Sequence, residues 1–135
     1  MSQTLRALSS KLKIQLSELY LNVQSIELKL ADLENQYHES LQNISSASVI
    51  PEHLQPEQEM ARLHFILCEQ QNLDNLNATK TTLLTELNLL KEKHLRLNTE
   101  LKRIEKYQEN QRIIKKQHNE LDQQKDRDEW GRTYL

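Results

Sequence analysis

Apolar side chains recur along the first third of the chain at Leu5, Leu8, Leu12, Leu16, Leu19, Val23, Ile26, Leu30, Leu33, Tyr37, Leu41 and Ile44, with gaps of 3, 4, 4, 3, 4, 3, 4, 3, 4, 4 and 3. A return every 3.5 residues holds one stripe on one side of a helix, the pattern of a coiled-coil seam. The two doubled fours read as insertions that relax the supercoil locally. A strand would alternate every second residue, and no stretch does so. The stripe breaks at Ser45-Ser46-Ala47-Ser48-Val49-Ile50-Pro51, where serines divert backbone hydrogen bonds and proline disfavours helix at the residue before it. Pro56-Glu57-Gln58-Glu59 then carries the marks of a helix start, a proline at the first position and acids at the positive end. The stripe resumes at Met60, Leu63, Leu67, Leu73 and Leu76 and is most regular over Leu83, Leu87, Leu90, His94, Leu97, Leu101 and Ile104. Beyond Ile104 its phase shifts through Tyr107, Gln111, Ile114, His118 and Leu121. The spacing predicts helix one over about 3–44, a turn over about 45–55 and helix two over about 56–128, ending before Gly131. At most a kink is expected in the threonine-rich segment 77–82.

Neither helix can hide its stripe alone, so the expected fold is all-α: a single domain, an antiparallel two-helix coiled-coil hairpin with a longer second helix. Folding at the turn pairs residue i with about residue 100 − i, which sets Leu5 near Leu97. On that pairing Leu101, Ile104, Tyr107, Ile114 and Leu121 form an exposed tail stripe, with Ile113 alongside and Trp130 beyond. Six apolar side chains at about 1.5–3 kcal/mol each for full burial call for a cover, either a second copy or a different protein.

Composition narrows the function. One glycine and two prolines leave few turns and no glycine-rich phosphate loop, and 4% aromatics give little bulk for a globular core. A net charge of −2 argues against binding driven by phosphate neutralisation. The charge is nevertheless segregated: residues 34–74 balance to −6 and residues 91–116 to +5. Such faces fit protein partners before they fit RNA. The first 17 residues are basic and acid-free, as in a transit peptide, but the stripe runs straight through them and makes them opening helical turns. Cys68, the one cysteine, cannot close an intramolecular disulfide, which fits a reducing compartment. No apolar run approaches the roughly 20 residues of a membrane span.

The chemistry-bearing residues are scattered. His64 and Cys68 share a helix face at ligand-compatible spacing, but no neighbour completes a zinc site. His94 and His118 fall on the stripe, where a polar residue fixes register. Glu100, Glu105 and Glu109 lie among Lys and Arg as solvated ion pairs, and no serine has a triad around it. A two-helix rod offers no water-excluding pocket. No catalytic residue, metal, cofactor or small-molecule substrate is expected; the protein reads as a non-enzyme.

The layout resembles the FliJ/YscO family, the small stalk proteins of flagellar and virulence type III secretion. The resemblance rests on the Leu-rich first helix, the polar turn near a third of the length, and a second helix opening near Phe65-Ile66. That helix ends in Lys102-Arg103-Ile104-Glu105-Lys106-Tyr107-Gln108-Glu109, then Gln123-Gln124-Lys125 and Asp128-Glu129-Trp130. It implies a cytoplasmic protein, peripheral to the inner-membrane export apparatus, whose partners are the hexameric export ATPase, the export-gate membrane protein and some secretion chaperones. Carried onto this chain, the resemblance makes Leu5, Leu8, Arg103, Lys106 and Arg112 the ATPase-binding candidates. Phe65, Ile66 and Leu73 become the gate-binding candidates. The short first helix and C-terminal tail depart from flagellar members and lean toward the virulence branch. Two readings compete with the stalk: a structural coiled-coil scaffold or tether that self-assembles, and a basic-helix RNA-associated factor.

Overall fold

A computed structural model describes residues 2–134 as two helices joined by a turn, α1 (Ser2–Ala47) and α2 (Pro56–Tyr134). They pack as an antiparallel two-helix hairpin with the second helix the longer, and no described residue lies in a strand. Packing divides into two units: the described residues of Met1–Ser17 with His94–Leu135, and Glu18–Lys93.

In the unit Glu18–Lys93, α1 turns Leu19, Val23, Ile26, Leu30, Leu33, Tyr37, Ser40, Ile44 and Ala47 toward α2, with gaps of 4 and 3 in strict alternation. The facing series on α2 is Arg62, Ile66, Glu69, Leu73, Leu76, Leu83, Leu87 and Leu90, with exposed Lys80 at the one interrupted place. The expected register is therefore corrected in two places. Ser40, 2% exposed, takes the seam position assigned to Leu41, which stays 40% exposed. Its hydroxyl donates to the Glu69 carboxylate and lies 3.3 Å from the Glu69 main-chain carbonyl, an approach that only a short side chain permits. Early in α2, Met60, Leu63 and Leu67 are exposed, and Glu59, Arg62, Ile66 and Glu69 take the inward side. Polar groups are tolerated there because they pair: Arg62 donates to Glu59 at 2.6 Å and to the Ala47 carbonyl at 3.1 Å.

Those pairs also close the turn. Helix α1 runs three residues past the expected Ile44, through Ser45 and Ser46, because Arg62 satisfies the free Ala47 carbonyl. The Ser48 amide and hydroxyl both reach the Ile44 carbonyl, at 2.9 and 2.7 Å. Pro56 opens α2 as the spacing predicts, with Glu57 and Glu59 in the first turn and the Glu59 amide bonded to the Gln55 carbonyl at 2.9 Å. The threonine-rich segment remains helical. Thr79, Thr81, Thr82 and Thr85 each donate to the carbonyl four residues earlier, so their hydroxyls bond along the helix and leave its ladder uninterrupted.

In the unit Met1–Ser17 with His94–Leu135, the inward residues are Leu5, Ser9, Leu12 and Leu16 on α1 and His94, Leu97, Leu101, Ile104 and Gln108 on α2. Ser9 is buried where Leu8 was expected, and Leu8 is 44% exposed. With Ser9 and Ser40 in place, the heptad of α1 is unbroken within each unit, and neither insertion exists. Helix α2 ends at Tyr134 rather than near 128, because Gly131 keeps a right-handed helical φ and does not cap it. A glycine stops a helix when it turns left-handed; inside a helix it only weakens it by about 1 kcal/mol.

The pairing is also shifted. Ser40 meets Glu69 and Ala47 meets Arg62, residue numbers that add to 109 in both cases. Residue i thus faces about 109 − i, not 100 − i, and Leu5 lies beside Ile104, not Leu97. The cause is the turn, whose midpoint falls near Leu54-Gln55 once α1 runs to Ala47 and the first two turns of α2 take part in pairing.

Candidate docking site

The seam ends by a change in the sequence itself. Carrying the α2 heptad past Gln108 gives Gln111, Lys115, His118, Asp122, Lys125 and Glu129 at the positions that were mostly Leu or Ile from Leu73 to Ile104. Every one of these is polar and exposed. The apolar residues of this stretch move to another side: Tyr107, Ile114 and Leu121 follow one another at seven-residue steps, with Ile113 adjacent, and all four are exposed. Leu101 is buried and Ile104 half-buried in the hairpin, so the exposed tail stripe starts at Tyr107 and not at Leu101.

Where seam gives way to tail, Thr4, Leu5, Arg103, Ile104 and Tyr107 line an open groove of about 380 Å³. It brings together two of the proposed ATPase-facing residues, Leu5 and Arg103, with the first residue of the tail stripe. Leu8, Lys106 and Arg112 lie outside its lining, all exposed. Arg112 makes a two-bonded pair with Glu109, at 2.7 and 3.1 Å. The hydrogen bond from its guanidinium, helped by its charge, holds the Glu109 carboxyl below the ordinary glutamate range, and Glu109 in turn raises Arg112. Further along, His118 Nδ1 lies 3.1 Å from the Asp122 carboxylate. Lys115 and Lys116 add cationic charge beside Ile113 and Ile114. The surface is a narrow apolar line flanked mainly by neutral polar residues, Asn110, Gln111, Gln117 and His118, with Arg103 at one end and Lys125 at the other.

The gate-facing candidates separate in the unit Glu18–Lys93. Phe65 is exposed, whereas Ile66 and Leu73 are half-buried on the seam and serve the hairpin first. The outer surface near the turn is formed instead by Val49, Ile50, Leu54, Met60, Leu63 and Leu67, all more than half exposed. Sequence reasoning placed the last three in the seam, and the signal that separates them is the neighbouring run Glu59, Arg62, Glu69, whose charges can pair inward. The same unit holds an open cleft of about 250 Å³ between Leu33, Tyr37, Leu76 and Lys80, where Lys80 breaks the apolar seam.

Among the described residues no three His, Cys, Asp or Glu side chains gather to hold a metal ion. His64 Nε2 and Cys68 Sγ lie 3.6 Å apart across one helical turn. No described helix is long and apolar enough to cross a membrane. No family model, curated protein or solved structure matches the chain.

Proposed function

We propose that this protein is a stalk of a type III protein export apparatus, a non-catalytic coiled coil that binds the hexameric export ATPase and the export gate and promotes secretion. One observation carries the reading: α2 abandons its seam at Gln108 yet keeps a heptad-spaced apolar line through Tyr107, Ile114 and Leu121. A helix that merely ended would have no need of that line, whereas one that docks into a partner does. The excess of cations over residues 103–116, Arg103, Lys106, Arg112, Lys115 and Lys116 against Glu105 and Glu109, suits a receptor with an acidic surface. The resemblance to the FliJ/YscO layout supplies the identity of that receptor. Phe65 and the exposed side chains near the turn form the gate-facing end of the same reading, with secretion chaperones as further partners. The site of action is cytoplasmic, peripheral to the export machinery at the inner membrane.

The test uses the full chain and the purified export ATPase. Co-precipitation and faster ATP hydrolysis are expected, and the double variant Ile114→Asp, Leu121→Asp loses both while its melting temperature stays within about 2 °C of the parent, because neither side chain is in the hairpin. A chain that neither binds nor stimulates the ATPase, where an established stalk protein does, overturns the proposal.

A further inference from the structure

Helix α1 carries a second heptad stripe that the hairpin does not use. Opposite the seam, Ala7, Ser10, Ile14, Ser17, Leu21, Gln24, Leu28 and Ala31 succeed one another with gaps of 3 and 4 in strict alternation. None of the eight is charged, and all are exposed. Its large members, Ile14, Leu21 and Leu28, are 61%, 63% and 71% exposed, and they sit at the position of the heptad farthest from α2. A surface helix normally places charge there.

The residues bordering this stripe are sorted by sign. On one border stand Arg6, Lys13, Tyr20, Glu27 and Glu34; on the other stand Lys11, Glu18, Ser25 and Asp32. All the cations precede residue 14 and all the anions follow residue 17. A stripe basic at one end and acidic at the other is complementary to itself when reversed. Setting a second α1 antiparallel across it, with the two-fold axis close to Tyr20 and Leu21, levels Arg6 with Glu34, Lys13 with Glu27 and Lys11 with Asp32 of the other copy. The same operation brings Ile14 near the other Leu28 and Leu21 near its own counterpart, with Ser10, Ser17 and Ala31 small enough for close approach. A parallel arrangement sets the cations against cations and the anions against anions.

We infer that the protein forms an isologous dimer through this outward face of α1, with the two α1 helices antiparallel and Leu21 at the two-fold axis. The occupant of the stripe is a second copy of this chain, chosen by charge complementarity that only the reversed copy provides. The tail stripe and the hairpin seam take no part, so the inference stands apart from the stalk reading.

Sedimentation equilibrium of the full chain over a wide concentration range reads the association. A reversible monomer–dimer equilibrium, weakened by salt, is expected. Lys13→Glu weakens the dimer about tenfold, since two symmetry-related pairs turn from attraction to repulsion. Glu27→Lys added to Lys13→Glu restores it, a rescue that no change of helix stability can mimic. Orientation is read in a Cys68→Ser background: Leu21→Cys cross-links to its own copy on oxidation, and Ser10→Cys does not, because antiparallel copies hold that pair about 30 Å apart. A monomer at all concentrations, no rescue by Glu27→Lys, or equal cross-linking at both positions overturns the inference. Circular dichroism confirms that each variant stays helical.

Discussion

Two leucines of α2 two residues apart make a sharp test of the register. Leu87 is 7% exposed on the seam, and Leu89 is 61% exposed on the opposite side. Truncating Leu87 to alanine removes three methylene-sized groups from the seam, about 2.4 kcal/mol at ~0.8 kcal/mol each. A cavity term adds to this in a closed core, but a two-helix seam lies one side chain from solvent and collapses readily, so the total stays at about 2–3 kcal/mol. Leu89→Ala loses little burial and replaces leucine with a residue of equal or better helix propensity, so its effect lies within about 0.5 kcal/mol of zero. Urea unfolding of the full chain, followed by far-ultraviolet circular dichroism at fixed protein concentration, measures both. The expected result is a lower midpoint for Leu87→Ala with unchanged slope, a melting temperature about 10 °C lower, and a Leu89→Ala curve that overlays the parent. Equal losses at the two sites, or a larger one at Leu89, would refute the alternating register through which every site above was located.

Arg62→Ala removes both the cap on the Ala47 carbonyl and the pair with Glu59, each partly buried, and costs about 1–2 kcal/mol. Amide exchange measured by NMR should accelerate in the last turn of α1 and stay unchanged in residues 2–17; uniform acceleration would contradict a local cap. Glu109 titrates below its ordinary value of 4.5 because Arg112 bonds its charged form. The sign follows from a depressed folded pKa: the pair supports the helix above pH 4.5 and its contribution disappears as pH falls through the lower folded midpoint. Carboxyl-resolved NMR should place the Glu109 midpoint below 4.5 and return it to that value in Arg112→Gln; an unmoved midpoint in the variant counts against the pair.

Fold class and the start of α2 were legible because they depend on period and punctuation, which point mutations of single positions do not erase. Most of the eleven gaps along the apolar stripe of α1 agree with a heptad while the choice at a single place remains open, and Leu8 against Ser9, like Leu41 against Ser40, is such a place. Hydropathy favours leucine at both. The structure favours serine, because Leu5-Ser9-Leu12 and Tyr37-Ser40-Ile44 keep the alternation of 4 and 3 that the rest of the seam follows, whereas each leucine lies about 100° round the helix from that line. The error at Met60, Leu63 and Leu67 has the same root. Those residues are greasier than Glu59, Arg62 and Glu69, but they are out of phase with Leu73, Leu76, Leu83 and Leu87, and the longer series decides the face. Cooperativity of a seam, summed over many turns, outweighs the hydrophobicity of any one residue in it.

That rule also explains why the outer stripe of α1 escaped a reading by hydropathy alone, while the tail stripe of α2 was legible except for its start, placed at Leu101 instead of Tyr107. Once the phase is carried consistently, the leftovers become informative: Ile14, Leu21 and Leu28 on α1, and Tyr107, Ile114 and Leu121 on α2, each recur at seven-residue steps on a face that the hairpin leaves bare. Scattered surface leucines need no explanation, since much of any protein surface is apolar. A leftover with the period of a coiled coil is different, because seven-residue spacing serves no purpose on a helix whose outer face meets only water. The two leftovers differ in their borders. The α1 stripe carries both signs, ordered end to end, and so matches a reversed copy of itself. The α2 stripe lies on a stretch where both signs alternate, Arg103 and Lys106 with Glu105 and Glu109, then Lys115 and Lys116 with Glu120 and Asp122, and it has no such end-to-end order to match a reversed copy.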